Sequence, residues 1–131
     1  MITIEAFKKL AMALPEVTKA PHFEKISFRV RNKIFSTLDV SNKRVCIKLS
    51  EVDQSVFCLA DKSIMYAVPN KWGKQGWTFI ELRKIKKSLC IDALTTAYCT
   101  VAPKSLAFKS SHKQGLKHFS NIHPKRSRSL R

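Results

Sequence analysis

Residues 25–49 contain two short runs, 25–30 and 44–49, in which polar and apolar side chains alternate, and this pattern constrains the fold more than any other feature. A period of two is typical of β-strands that have one buried face and one wet face. Two tight turns, at Arg31-Asn32-Lys33 and Ser41-Asn42-Lys43, enclose a return strand between these runs, and at the first turn Asn32 is the residue that readily takes a positive φ. The three antiparallel strands predicted here are Lys25–Val30, Ile34–Val40 and Arg44–Leu49.

Two longer segments have the apolar spacing of amphipathic helices, and they lie before and after the sheet region. The first covers residues 3–14, where Thr3 is a suitable N-cap and Pro15 ends the helix. The second covers residues 86–102 and ends before Pro103. Because each helix has one apolar stripe and the sheet has one apolar face, we expect both helices on the same side. The predicted fold class is therefore α+β, with the N- and C-terminal helices packed on one face of an antiparallel sheet.

Shorter elements are predicted between these helices and strands. Residues 15–21 contain several turn-forming residues and predict a loop. Ser50 is a suitable cap for a short helix whose buried stripe is expected at Val52, Val56 and Leu59. Two further strands are predicted at Ile64–Val68 and Trp77–Leu82.

The segment Pro69–Thr78 contains both tryptophans and two of the three glycines of the chain. Glycines this close together predict a sharp turn with positive φ. We expect Trp77, at the start of a strand, to point into the core. We expect Trp72, between Lys71 and Lys74, at the surface, where its indole either stacks on a nucleic-acid base or folds back over the sheet edge.

The charge of the chain is strongly positive and unevenly distributed. Lysine and arginine number 25 against nine aspartate and glutamate residues, which gives a net charge of +16. Residues 104–131 carry eight of the basic residues and no acidic residue. We therefore predict one folded domain over residues 1–103 and a mostly disordered basic tail over residues 104–131. A net positive charge of this size favours a polyanionic partner.

Basic side chains are expected on the wet face of the sheet, at a hairpin tip, around Trp72 and in the tail. A basic surface with an aromatic ring beside it suits phosphate contacts combined with base stacking. The predicted nucleic-acid-binding residues are Lys25, Arg29, Arg31, Lys33, Arg44, Lys48, Lys71, Trp72, Lys74, Lys125, Arg126 and Arg128.

The sequence contains no recognisable catalytic or metal-binding motif. There is no phosphate loop, nucleophile elbow or paired-carboxylate motif. The four cysteines are far apart without a CxxC pair, so free thiols are expected, and the tail histidines lack the spacing of a zinc site. Iron would require clustered carboxylates, and helix 3–14 offers only Glu5. We expect no enzymatic activity, no metal and no cofactor.

Features of a membrane or secreted protein are also missing from the sequence. No apolar run reaches membrane-spanning length, and the N-terminus Met1–Glu5 lacks a basic-then-apolar signal pattern. We expect a monomeric cytoplasmic protein without a membrane partner.

Five groups of short motifs occur in a defined order along residues 3–103. They are Ala13-Leu14-Pro15-Glu16-Val17, Phe28-Arg29-Val30 with Lys33-Ile34-Phe35, Val45-Cys46-Ile47-Lys48-Leu49, Asn70-Lys71-Trp72 with Trp77-Thr78, and Ala97-Tyr98. In these motifs the chain resembles the MmcQ/YjbR family of small bacterial proteins. The resemblance implies a frataxin-like (CyaY-like) α+β fold with a "double wing" arrangement, from which the family is labelled DNA-binding.

Two functions from different classes remain open at this level. The first is binding of DNA or RNA by the basic surface. The second is a protein-interaction module, in which a sheet edge or the Trp72 loop docks an acidic protein partner. The dependence of binding on salt separates them, because phosphate contacts give a steep salt dependence.

Overall fold

The computed structural model of the protein describes residues 1–107, which form one six-stranded antiparallel sheet and four helices. In chain order the elements are α1 (Ile4–Met12), β1 (Val17–His22), β2 (Lys25–Val30), β3 (Lys33–Asp39), β4 (Arg44–Lys48), α2 (Glu51–Phe57), β5 (Met65–Ala67), α3 (Lys71–Lys74), β6 (Trp77–Glu81) and α4 (Lys87–Val101). The strands are arranged in the order β1-β2-β3-β4-β6-β5. The predicted α+β class is confirmed.

Both terminal helices pack on one face of the sheet, as the apolar stripes predict. Phe7 of α1 meets Phe28 of β2 edge-on, with ring centroids 5.8 Å apart. Tyr98 of α4 meets Phe35 of β3 in the same way at 5.5 Å. All four rings are fully buried and belong to one hydrophobic core. Aromatic pairs of this geometry add to the stabilisation from burial, so these contacts fix both helices against the strands.

The central hairpins follow the local sequence closely. Arg31 and Asn32 have φ of 51° and 67°, and Val30 pairs with Lys33 across the two-residue turn. Two consecutive positive φ values match the right-handed twist of the flanking strands. Thr3 and Ser50 cap α1 and α2 through their side chains, which accept hydrogen bonds from Ala6 and Asp53 backbone N–H groups. These predicted turns and caps are confirmed.

The loop predicted over residues 15–21 is wrong, because most of it forms β1. This strand pairs along its whole length with β2, and Val17 lies opposite Val30. It is an edge strand of the sheet. Pro21 lacks a backbone donor, and an edge strand tolerates this because one side of its backbone is unpaired. The segment has no apolar–polar alternation, so its sequence pattern gave no indication of a strand.

The orientation predicted for α2 is also wrong. Val52, Val56 and Leu59 are 71%, 48% and 76% exposed. The helix instead directs Phe57, which is buried, and Gln54 towards the domain. Burial of one phenylalanine ring, together with the two amide N–H donors of Gln54 shared among three acceptors, decides the orientation against three aliphatic side chains.

The chain continues against the domain beyond α4. The backbone N–H of Leu106 donates to the Pro103 carbonyl, and the Leu106 side chain is only 3% exposed. The first residues of the segment predicted as tail therefore belong to the packed body, and residues 108–131 lie outside the described part of the chain. Within residues 1–107, none of the helices is both long enough and apolar enough to cross a membrane.

Candidate nucleic-acid interface

The face of the sheet opposite α1 and α4, here called the outer face, is formed by side chains that alternate with core residues. On β4, Arg44, Cys46 and Lys48 are partly exposed, whereas the intervening Val45 and Ile47 are fully buried. The same alternation holds on β6. This periodicity follows from strand geometry, because successive side chains point to opposite faces.

Four of the predicted basic residues share the outer face. Lys25 and Arg29 of β2 alternate with core residues, as do Arg44 and Lys48 of β4. Lys25 is exposed and the other three side chains are partly buried. Arg29 is oriented by its neighbours: its Nε donates to Ser27 Oγ at 3.1 Å, and that hydroxyl donates to the Ala20 carbonyl. The strands therefore bring together cations that are distant in sequence.

Arg44 lies in a cluster of aromatic and acidic side chains. Its guanidinium carbon is 4.2 Å from the centroid of the Phe79 ring, and the Tyr66 ring is tilted against Phe79 at 5.5 Å. The Tyr66 hydroxyl donates to the Glu81 carboxylate. Burial, followed by this hydrogen bond, raises the pKa of Tyr66, so its hydroxyl stays protonated near neutral pH.

Lys48 joins β4 to the segment that carries the tryptophans. Its Nζ donates to the backbone carbonyl of Gln75, just after α3. Lys48 is also the cross-strand neighbour of Trp77 on β6. Side chains in such pairs have Cβ atoms about 4.5–5.5 Å apart. The Lys48 ammonium group is thus held at the same end of the outer face as the Trp77 indole.

The two predicted binding residues at the hairpin tip, Arg31 and Lys33, differ in whether they form an ion pair. Arg31 Nε donates to Glu16 Oε1 at 2.6 Å, and a second guanidinium nitrogen donates to the other carboxylate oxygen at 3.2 Å. This pairing raises the pKa of Arg31 and compensates its charge. Lys33, at the start of β3, is exposed and forms no ion pair with another residue in 1–107.

The segment between β5 and β6 contains a single helical turn, α3, and two glycines that are required by geometry. Asn70 caps α3 by accepting from the Trp72 N–H at 2.8 Å. Gly76 has φ +103°, as the predicted sharp turn requires, and a Cβ there would lie 1.8 Å from the Leu49 carbonyl oxygen. At Gly73 a Cβ would lie equally close to the carbonyl oxygen of Val68.

The side chain of Gln54 in α2 holds this segment in place through hydrogen bonds. Its Nε2 lies within hydrogen-bonding distance of the carbonyls of Gly73 and Trp77, at 2.9 and 3.1 Å, and of Thr78 Oγ1 at 3.2 Å. The backbone that positions both tryptophans is therefore tied to a neighbouring helix.

The two tryptophans occupy different environments, and one of them contradicts the prediction. Trp72 is 50% exposed, and Lys71 Nζ lies 5.7 Å from its ring centroid, so the predicted surface position is confirmed. Lys74 is also exposed. The prediction that Trp77 points into the core is wrong: Thr78 and Ile80 are the inward residues of β6, and Trp77 is partly exposed on the outer face with Phe79.

Aromatic residues of the outer face were missed by the sequence analysis. Tyr66, Trp77 and Phe79 all lie on this face, next to Arg44 and Lys48. The alternation Trp-Thr-Phe-Ile-Glu on β6 was the available signal, because Ile80 in the core requires Trp77 and Phe79 on the other side.

Phe23 is a second exposed aromatic that the sequence analysis did not single out. It lies in the turn between β1 and β2 with φ of 59° and is 93% exposed. Its ring contacts only the neighbouring His22 among the aromatic pairs of residues 1–107.

Other predicted residues lie outside the described region or show no site. Lys125, Arg126 and Arg128 belong to residues 108–131. Within residues 1–107 no three histidine, cysteine, aspartate or glutamate side chains are placed to hold a metal ion. The four cysteines, predicted to be thiols, form no disulfide within residues 1–107, and burial raises the pKa of Cys46 and of Cys90 to about 12.

Comparisons with known proteins give a family and a fold. The YjbR family model matches residues 12–100, which is more than half of the chain. A solved structure, that of the Deinococcus radiodurans protein DR2400 with a DUF419 domain, superimposes with a TM-score of 0.69 at 18% identity and covers 88% of this chain and 89% of that chain. No curated protein matches the sequence.

Proposed function

This chain belongs to the YjbR family, and from that premise we propose that it is a non-enzymatic nucleic-acid-binding protein whose outer sheet face contacts the polymer. DNA is the first polymer to test. The observation that carries the proposal is the presence of Lys25, Arg29, Arg44 and Lys48 on one open face together with aromatic rings. The net charge of +16 supports the same partner class.

The balance of charge on the outer face favours anions. Four cations stand on its central strands against two acids, Asp39 and Glu81. Lysine and arginine on rigid strands contact phosphates and release counterions, which provides affinity without reading sequence. Lys71 and Lys74 are exposed on either side of Trp72 and extend the positive surface there, whereas Lys33 is exposed at the β2–β3 turn opposite core residue Val30.

The chemistry of the described residues supports a binding role over catalysis. With their pKa values near 12, the thiols of Cys46 and Cys90 are protonated at neutral pH and are weak nucleophiles. The titratable side chains of the outer face are held in structural contacts, such as the hydrogen bond from Tyr66 to Glu81. These contacts orient cations and rings; they do not place a base beside a nucleophile.

A protein-interaction module is the second candidate, and one observation favours it. Val52, Val56 and Leu59 form an exposed apolar stripe on and just after α2. Side chains of this kind are common where one protein docks on another. In this alternative the basic surface steers an acidic protein, and affinity depends mainly on apolar contact and only weakly on salt.

The proposal is tested by measuring the binding of fluorescent DNA and RNA oligonucleotides at 50 and 200 mM salt. We expect affinity to fall steeply with salt, and the double variant Lys25→Ala, Arg29→Ala to reduce the slope of log K against log salt by about 1.5–2. Lys19→Ala is the matched control, because Lys19 is exposed on β1 opposite core residue Phe28 and so lies off the outer face. The absence of binding to any of these polymers would refute the proposal, and equal slopes in the double variant and the control would place the contact elsewhere.

A further inference from the structure

We propose that the outer face takes single-stranded nucleic acid, with bases stacking on the aromatic strip formed by Trp77, Phe79 and Tyr66 and phosphates contacting Lys48 and Arg44. This inference rests on the proposed function and narrows its substrate class. The strip was not part of the predicted site, which placed base stacking at Trp72 alone.

The spacing of the strip suits successive unstacked bases. Trp77 and Phe79 are two residues apart on β6 and point to the same face, so their Cα atoms are about 6.8 Å apart. An extended single strand has about this distance between neighbouring nucleotides, roughly twice the stacking distance of 3.4 Å in a duplex. Tyr66, the cross-strand partner of Phe79, widens the strip towards the sheet edge.

Each ring on β6 has a cation beside it. The Arg44 guanidinium covers the Phe79 ring at 4.2 Å, so a base at this position would stack on the guanidinium plane, which the ring supports from beneath. Lys48 stands opposite Trp77 with its ammonium group held by the Gln75 carbonyl. A base on the Trp77 ring would therefore have its phosphate within reach of Lys48, and a base on Arg44 would lie directly against a positive charge. Pairing of ring and cation is the arrangement that binds single strands without sequence preference.

The shape of the outer face disfavours a duplex at this strip. Six strands about 4.8 Å apart form a face roughly 24 Å wide, whereas the major groove of B-DNA is about 12 Å wide and admits one helix or a two-stranded ribbon. The rings are also partly buried between their neighbours and do not project as wedges. They can meet only bases that are already unstacked, which a single strand provides.

The two tryptophans allow a direct test, because each can be made the sole indole of the full-length protein. Trp72→Phe leaves Trp77 as the reporter, and Trp77→Phe leaves Trp72. Titrations use a 20-mer of thymidylate, a 20-mer of uridylate and a 20-base-pair duplex. We expect both single strands to quench Trp77 fluorescence in the Trp72→Phe protein and to bind at least tenfold more tightly than the duplex.

Affinity variants add a second readout. Trp77→Leu should weaken binding of the thymidylate 20-mer about five- to 150-fold, the range that base stacking on one ring provides. Phe23→Leu is the matched control: it removes an aromatic ring that is 93% exposed at the turn between β1 and β2, away from the strip, and we expect a change below twofold. A thermal melt of each variant confirms folding, and Trp77→Phe, which keeps a ring, should retain most of the affinity if Trp77→Leu unfolds.

The possible results separate this inference from the proposed function. If the duplex binds as tightly as the single strands, the outer face is not a single-strand platform, although the protein still binds nucleic acid. If only Trp72 is quenched, the base stacks at α3 and the strip is refuted. If none of the three polymers binds, both the inference and the proposed function are wrong.

Discussion

Replacing Gly76 by alanine should strongly destabilise the protein, because two independent features of the structure exclude a side chain there. Gly76 has φ +103°, well outside the conformations that residues with a Cβ readily adopt. A Cβ at this position would lie 1.8 Å from the Leu49 carbonyl oxygen, about half of a normal contact distance. The backbone of β4 and the turn before β6 therefore cannot both remain in place.

The expected loss of unfolding free energy in Gly76→Ala can be estimated from the backbone strain and the hydrogen bonds involved. An L-residue in a left-handed conformation costs about 1–2 kcal/mol, and relieving the collision separates the Leu49 N–H from the Gly76 carbonyl, a hydrogen bond of 3.1 Å worth about 0.5–1.5 kcal/mol. The displacement also disturbs the Gln54 hydrogen bonds to the neighbouring carbonyls. We expect a loss of about 3–5 kcal/mol in the free energy of unfolding, a large share of the typical 5–15 kcal/mol.

Urea denaturation followed by tryptophan fluorescence measures this change, since Trp77 directly follows Gly76. Gln75→Ala is the matched control: this side chain is exposed and its backbone has φ of −90°, so we expect a change below about 0.5 kcal/mol. A loss of less than about 1 kcal/mol in Gly76→Ala, with an unchanged m-value, would show that the turn accommodates a Cβ and that the argument from close approach is wrong.

Three further predictions concern the core, the response to pH and the tail. Phe28→Ala should cost about 3–5 kcal/mol in the free energy of unfolding because the ring is fully buried, and unchanged stability in urea would contradict its place in the core. Stability should fall as the pH rises from about 9 towards 12. In the folded state the pKa values of Cys46, Cys90 and Tyr98 are raised to about 12, so these groups keep protons that the unfolded chain releases. Equal stability at pH 8 and pH 10.5 would refute this. Deleting residues 108–131 should weaken binding to all nucleic-acid sequences alike and flatten the salt dependence, and affinity equal to that of the full chain would show that this segment is not an anchor.

The parts of the fold that could be predicted are those that local chemistry determines. The alternation in β2 and β4, the asparagine with positive φ at the hairpin turn and the side-chain caps at Thr3 and Ser50 each depend on a few neighbouring residues. Their physical requirements are visible in the sequence before any long-range contact forms. This explains why the central strands, the turns that join β2, β3 and β4, and the terminal helices were found correctly.

The errors have a common cause in contacts between distant segments. β1 has no pattern of its own and becomes a strand because β2 pairs with it. The apolar spacing on α2 suggested a buried stripe, but the helix is rotated by Gln54, whose acceptors lie 19 to 24 residues further along the chain. Sequence spacing reports which residues share a face; it does not report which face meets the domain.

The wrong prediction that Trp77 lies in the core also changed which residues were assigned to the binding site. A tryptophan is most often assigned to the core on account of its size, and that reasoning places all base stacking at Trp72. The strand period overrides size here: with Thr78 and Ile80 turned inwards, Trp77 and Phe79 must face outwards beside Lys48 and Arg44. Because outer-face side chains alternate with core residues along the same strands, they can be substituted without opening the core. The effect of a substitution on nucleic-acid affinity can therefore be measured separately from its effect on stability. This separation is what allows a binding role to be assigned to Trp72 or to Trp77.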